Sequence, residues 1–145
     1  VPRTRKRILF VDDDQEICAA ITLLLEYCGY DVTPVRTQDE ALRLAEVGNF
    51  DLLMLDQKFP DGSGLELCRR IRLFDPETPI LFYSAIGRQV DVQLAIAAGA
   101  QDYLKKPTSL DVLDLTISHL ISESKRACQK SSRLDMGKEL LGLFP

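Results

Sequence analysis

Five residues of this chain have types and places suited to phosphoryl chemistry. Asp56 closes the apolar run Leu52-Leu53-Met54-Leu55, and Asp12 and Asp13 close another, Ile8-Leu9-Phe10-Val11. Ser84 ends a third, Ile80-Leu81-Phe82-Tyr83, and Lys105-Lys106 follows a short fourth, Tyr103-Leu104. An apolar run that ends on a polar side chain reads as a buried strand emerging into a loop, anchored at its base and exposed at its tip. Three carboxylates held together repel one another unless a cation or a proton intervenes. With no His or Cys at hand, the cation would be hard and oxygen-seeking. Mg²⁺ fits, because it takes one or two carboxylates, keeps several waters and accepts phosphate oxygens. Lys106 then offers a point charge for a phosphoryl group and Ser84 a hydroxyl donor. Asp56 would be the nucleophile, forming an aspartyl phosphate. Helix capping is the competing reading. It accounts for Asp14 and is open for Asp12, but it explains Asp56 poorly, since the turn Phe59-Pro60-Asp61-Gly62 precedes the next helix.

These residues converge only if the strands that carry them lie side by side. Apolar runs of about four residues alternate with longer helical patterns, the signature of βα units on a parallel sheet. Ile17, Ile21, Leu24 and Leu25 recur at helical spacing after the first strand, with Asp14 as N-cap and Gly29 at the end. The second strand, Val32 to Val35, contains Pro34, which donates nothing to a ladder and places the strand at an edge. A helix from Thr37 or Gln38 runs to Gly48, and another follows Ser63, bracketed by Gly62 and Gly64. Asp75-Pro76-Glu77-Thr78-Pro79 is a turn, and the helix from about Gln89 to Ala98 stops at Gly99. A last helix runs from about Ser109 into the 120s.

In an open parallel sheet, ligands bind beyond the carboxyl ends of the strands where the strand order reverses, a rule framed in part on sheets of this very order. The polar residues singled out end strands one, three, four and five, and the second strand contributes none. A flavodoxin-like, doubly wound five-stranded α/β fold with order 2-1-3-4-5 and helices on both faces satisfies this. It puts Asp12, Asp13 and Asp56 beside the switch point.

The totals narrow the class further. The chain has 145 residues and a net charge of −4, a size for one domain and a sign that disfavours nucleic acid as its direct partner. No charge-free apolar stretch approaches the roughly 20 residues of a membrane span. The basic start, Val1 to Arg7, reads as a solvated arm. Cys18, Cys28, Cys68 and Cys128 show no zinc spacing and fit a reducing cytosol. His119, the only histidine, sits beside the apolar stripe of its helix, a surface place. The segment 124–133 is polar and either prolongs the last helix or forms a linker. The apolar end, Leu140 to Pro145, reads as a tail docking on its own domain or a truncated linker, with a partner-binding segment as the alternative.

With the site in view, the chain resembles the receiver domain of bacterial two-component response regulators. The matching residues are Ile8 to Asp14, Asp51 to Asp56 with Pro60 and Gly64, Ser84-Ala85, and Ala98 to Pro107. They span about residues 6–123, leaving 124–145 as an extension, linker or docking tail. The resemblance implies a domain that receives a phosphoryl group on Asp56 from a sensor histidine kinase or histidine phosphotransfer protein and switches its interaction surface. Asp13 and Asp56 would bind Mg²⁺ directly, Asp12 through water, and the Lys58 backbone carbonyl would complete the protein ligands. Ser84 and Lys106 would hold the phosphoryl group. Tyr103 matches the aromatic switch residue that turns inward as the hydroxyl residue moves. Lys106-Pro107 is expected to be cis. The resemblance also implies a cytoplasmic protein, no enzyme beyond its own phosphorylation and dephosphorylation, and possible pairing of two copies through the fourth helix, fifth strand and fifth helix.

Some positions depart from the family pattern. Gln57 and Lys58 follow the acceptor directly, and Lys58 puts a flexible cation near the site mouth. The expectation is that it touches the phosphoryl group or an acidic neighbour and alters the phosphorylated lifetime; an unchanged dephosphorylation rate in Lys58→Ala would count against this. Thr108 stands where an aromatic is common, and Ser84 replaces the more frequent threonine. Three other readings compete. A haloacid-dehalogenase-like phosphatase needs an Asp two residues after the nucleophile, where Lys58 stands. A flavin or nucleotide binder would want a phosphate loop in place of Asp12-Asp13-Asp14. A docking module that works unphosphorylated is the remaining alternative. No DNA-binding module fits in the tail, so the protein works through protein contacts or is the amino-terminal piece of a larger regulator.

Overall fold

The computed structural model describes residues 5–141. β1 (Arg7–Val11), α1 (Gln15–Tyr27), β2 (Asp31–Val35), α2 (Gln38–Val47) and β3 (Leu52–Leu55) alternate strictly. A hairpin of two-residue strands, β4 (Lys58–Phe59) and β5 (Gly62–Ser63), leads into α3 (Gly64–Arg72). β6 (Ile80–Ser84), α4 (Gln89–Ala98), β7 (Asp102–Lys105) and α5 (Leu110–Leu141) complete the chain. The main sheet is parallel, in the order β2-β1-β3-β6-β7. Counting its five strands alone, this is the order 2-1-3-4-5 expected from the strand ends. Pro34 lies on the outer strand β2, opposite Phe10, where its missing N–H costs no ladder bond.

The strands are apolar throughout because the sheet is covered on both sides. Leu9, Val11, Leu53, Leu55, Ile80 and Phe82 pack on one face with Leu42, Leu67 and Ile71 of α2 and α3. Ile8, Phe10, Leu52, Met54, Leu81 and Tyr83 pack on the other with Leu25, Leu113 and Ile117 of α1 and α5. Each such side chain, fully buried, contributes about 1.5–3 kcal/mol. This double layer fixes the register of the strands and therefore the places of their polar ends.

Side chains close the helix starts as the sequence suggests. Asp14 Oδ1 accepts from the Glu16 and Ile17 amides at 3.0 and 3.1 Å, and Thr37 and Ser63 cap α2 and α3. Gly99 ends α4 with φ 117, a conformation that side-chain-bearing residues rarely adopt. Arg72 reaches from α3 to the same turn: its guanidinium donates to the carbonyls of Gly99, Asp75 and Thr78 and to Gln101 Oε1. That fork ties the end of α4 to the entry of β6.

The turn at Phe59–Gly62 closes a small antiparallel hairpin that the sequence reading did not include. Of the two readings of the polar segment 124–133, helix or linker, the structure shows the helix, since α5 continues through it without a break; among the residues of α5 whose burial is described, Leu113, Ile117, Leu120 and Ile121 are buried. Val1–Thr4 of the basic start and Gly142–Pro145 of the apolar tail lie outside the described residues. No described helix is long and apolar enough to cross a membrane. His119 and Cys128 are exposed, and Cys18 and Cys68 are buried.

Candidate functional site

The parallel strands deliver their carboxyl ends to one edge of the domain. β1 places Asp12 and Asp13 next to Asp56 of β3, because Val11 and Leu55 are paired in register and the Asp56 amide donates to the Val11 carbonyl at 2.9 Å. One carboxylate oxygen from each of Asp12, Asp13 and Asp56 lies within 4.8 Å of the others. Asp12 is fully buried and Asp13 is exposed. The Asp12 carboxylate accepts from the Asp14 amide at 2.9 Å, which points it back into the cluster. Asp14 itself is spent on capping α1.

Lys106 enters from the turn after β7. Its ammonium donates to Asp12 Oδ2 and lies 3.5 Å from Asp56 Oδ2. Burial works against the Lys106 charge, but Asp12 and Asp56 outweigh it and hold the ammonium above its ordinary range. Burial pushes the Asp12 carboxyl up, and the Lys106 hydrogen bond only partly opposes this. The Lys106-Pro107 peptide is cis. The ammonium also sits 5.3 Å from the centre of the Tyr83 ring.

Ser84 ends β6 and is almost fully buried, with its Oγ accepting from the Ile86 amide at 3.2 Å. Tyr103 is only 8% exposed. Its ring stacks on Phe82 at 5.6 Å between centroids, and its hydroxyl donates to the Ile86 carbonyl. The aromatic therefore already lies inward. Ser84 and Tyr103 meet at one short loop, Ile86 giving its amide to the first and its carbonyl to the second.

Lys58 is exposed and makes no ion pair among the described residues. Its backbone belongs to the β4–β5 hairpin between Asp56 and α3. The base of that hairpin is tight: the Gln57 amide donates to Asp56 Oδ1 at 2.7 Å, and the Gly64 amide donates to the Gln57 carbonyl at 2.8 Å. A Cβ on Gly64 would collide with the Asp56 carbonyl oxygen. Gln57, next to Asp56, is buried, which its residue type alone does not indicate.

The donor set suits a hard divalent cation, since it offers only oxygen atoms on a scaffold that leaves one side open. A cluster carrying three acids and one ammonium stays net negative, which favours a cation.

Comparison with known proteins agrees with this arrangement. A family description, the response regulator receiver domain, matches residues 8–118. The alkaline phosphatase synthesis transcriptional regulatory protein PhoP of Bacillus subtilis is 34% identical over 126 residues, covering 87% of this chain and 52% of that protein. The transcriptional regulatory protein TrcR of Mycobacterium tuberculosis is 36% identical over 118 residues, covering 81% and 46%. Among solved structures, a CheY-like receiver domain protein from Methanospirillum hungatei superposes with a TM-score of 0.81 at 30% identity, covering 86% of this chain and 99% of that one. The chain belongs to the response regulator receiver domain family, whose general role is to be phosphorylated by a kinase in two-component signalling. It spans about half the length of the curated relatives it matches.

Proposed function

We propose that Asp56 is the phospho-acceptor of this receiver domain, charged by a sensor histidine kinase or a histidine phosphotransfer protein. The observation that carries this is the convergence of Asp12, Asp13, Asp56 and Lys106 at the switch point of the sheet. An Asp56 oxygen attacks phosphorus, the P–N bond to the donor's imidazole breaks as the P–O bond forms, and the released ring nitrogen takes up a proton. Lys106 moves its ion pair from Asp56 to a phosphoryl oxygen, and Ser84 turns its hydroxyl toward another. Asp13, Asp56 and the Lys58 carbonyl would hold Mg²⁺, with Asp12 acting through water; the ion supplies charge neutralisation for phosphoryl transfer.

Tyr103 and Ser84 form the switch in this reading, coupled through Ile86. The readout would be the face made by α4, β7 and α5, where Val90, Leu94, Val112 and Leu115 are exposed apolar side chains; this face suits a second copy or an effector protein. Lys58, at the mouth, would tune how long the phosphoryl group persists. Membership of the response regulator receiver family supports a cytoplasmic place for this domain.

The test is incubation with Mg²⁺ and acetyl phosphate, followed by intact mass and peptide mapping. A phosphoryl mass gain in the wild type that is lost in Asp56→Asn supports the reading. No gain in the wild type favours a docking module that works unphosphorylated.

A further inference from the structure

A second knot of polar groups is tied to the loop that follows the acceptor. Asp61, at the tip between β4 and β5, accepts from the Gln38 amide at 3.1 Å and the Asp39 amide at 3.3 Å. These are two of the N–H groups that a helix leaves without partners in its first turn. Thr37 Oγ1 takes the next, from Glu40. The Gln38 amide, followed by that of Asp39, holds the Asp61 carboxyl below the usual carboxylate range.

The Gln38 side chain is 1% exposed, and neither its nitrogen nor its oxygen has a hydrogen-bond partner. It is packed directly on Gly62: a Cβ there would overlap Gln38 Oε1 and come within 3.0 Å of Glu66 Oε2. Burying an unpaired amide costs about 1–3 kcal/mol. Gln38 is thus held by shape against the hairpin and gains no side-chain hydrogen bond from the contact. The hairpin is clamped twice, at its base by Gly64 against the Asp56 backbone and at its tip by Asp61 and Gly62 against α2. Lys58 lies between the clamps.

We propose that Asp61 and Gln38 are positioning residues for the metal site: the first turn of α2 holds the β4–β5 hairpin and so sets where the Lys58 backbone lies relative to Asp13 and Asp56. This rests on reading the Lys58 carbonyl and the carboxylates as Mg²⁺ ligands. Mg²⁺ demands near-octahedral geometry at short distances, so a ligand on a two-residue strand needs an outside support. The hairpin alone has one pair of short strands, and such a unit is marginal by itself.

The experiment measures Mg²⁺ binding to the unphosphorylated protein by calorimetry, for the wild type, Asp61→Asn, Asp61→Ala and Gly62→Ala. Asn removes the charge but keeps an acceptor oxygen for the Gln38 amide; Ala removes both. Asp61→Ala should weaken binding about tenfold, the low end for residues that orient ligands, while Asp61→Asn stays within about twofold of the wild type. Gly62→Ala, which pushes Gln38 off the tip, should weaken binding about as much as Asp61→Ala. Equal weakening in the Asn and Ala variants means that Asp61 acts through its charge alone and overturns the proposal. Unchanged binding in Asp61→Ala or Gly62→Ala overturns it as well. A wild type that binds no Mg²⁺ overturns the metal reading itself, and the positioning role of Asp61 and Gln38 with it.

Discussion

Replacing Lys106 with Met tests the ammonium's place among the acids and, on the proposed reading, its competition with a metal. Its side chain is 12% exposed and faces Asp12 at 0% and Asp56 at 15%. At the 3.5 Å separation from Asp56, an effective dielectric constant of about 20 gives an attraction of roughly 5 kcal/mol before desolvation is subtracted. Removing one partner of a buried pair costs about 3–5 kcal/mol. Burial already pushes the Asp12 carboxyl up, so proton uptake relieves part of the strain and the lower figure applies. Lys106→Met should therefore lose about 3 kcal/mol in metal-free buffer at neutral pH, or roughly 10 °C in Tm for a domain of this size.

Mg²⁺ should then bind the variant more tightly than the wild type, because no ammonium competes for the carboxylates. A tenfold tighter Kd returns about 1.4 kcal/mol at saturation, close to half of the loss. The assay is urea unfolding of both proteins with and without excess Mg²⁺, with Kd from calorimetry. The double variant Asp12→Asn/Lys106→Met should recover most of the stability without metal, since both charges go together. A stability gap that Mg²⁺ leaves unchanged, or weaker Mg²⁺ binding by Lys106→Met, would refute the reasoning.

Two further outcomes follow from the geometry. Gly64→Ala puts a methyl group against the Asp56 carbonyl oxygen and 2.9 Å from Phe82 Cε1; it should cost about 1–3 kcal/mol or more and slow phosphorylation by acetyl phosphate, and wild-type values of both would refute the close approach. Asp75 accepts from the Glu77 and Thr78 amides; burial pushes its carboxyl up, but these bonds, chiefly with Thr78, and the Arg72 charge bring it below the usual 3.8. A lowered value in the folded state adds stability above pH 3.8 that disappears as pH falls through the folded-state value. Asp75→Asn should lose up to about 1 kcal/mol at neutral pH, given the partial exposure, and its gap to the wild type in denaturant midpoint should close under acid; a gap constant with pH would refute it.

The sheet order was legible because two independent signals agreed: a proline that excluded β2 from the interior and polar residues that ended every other strand. The convergence of Asp12, Asp13, Asp56 and Lys106 was legible for the same reason, since a charge at the end of an apolar run has few structural explanations. Other features left no local trace. Arg72 lies among Arg69 and Arg70 and reads as one more solvated cation, yet its partners are the carbonyls of Gly99 and Thr78, which sequence spacing does not reveal. Asp61 reads as an ordinary turn residue, because its capping of α2 spans 23 positions of chain. Gln38 opens α2 as its sequence suggests, but its burial against Gly62 has no sequence signal. The length of α5 was open because the segment 124–133 mixes good helix formers with three serines and lacks an apolar stripe.

The outer strands of the sheet carry a consequence for self-association. β2 presents Pro34 and the exposed Asp31, and β7 presents the exposed Asp102 and Lys105. A proline offers no N–H to a newcomer, and charged edges resist template growth. Copies of this domain are thereby steered away from joining through a shared sheet. Most of its exposed large apolar side chains lie instead on helices, where a contact leaves the backbone ladder untouched. A signalling domain can in this way keep a sticky surface in use without seeding fibres.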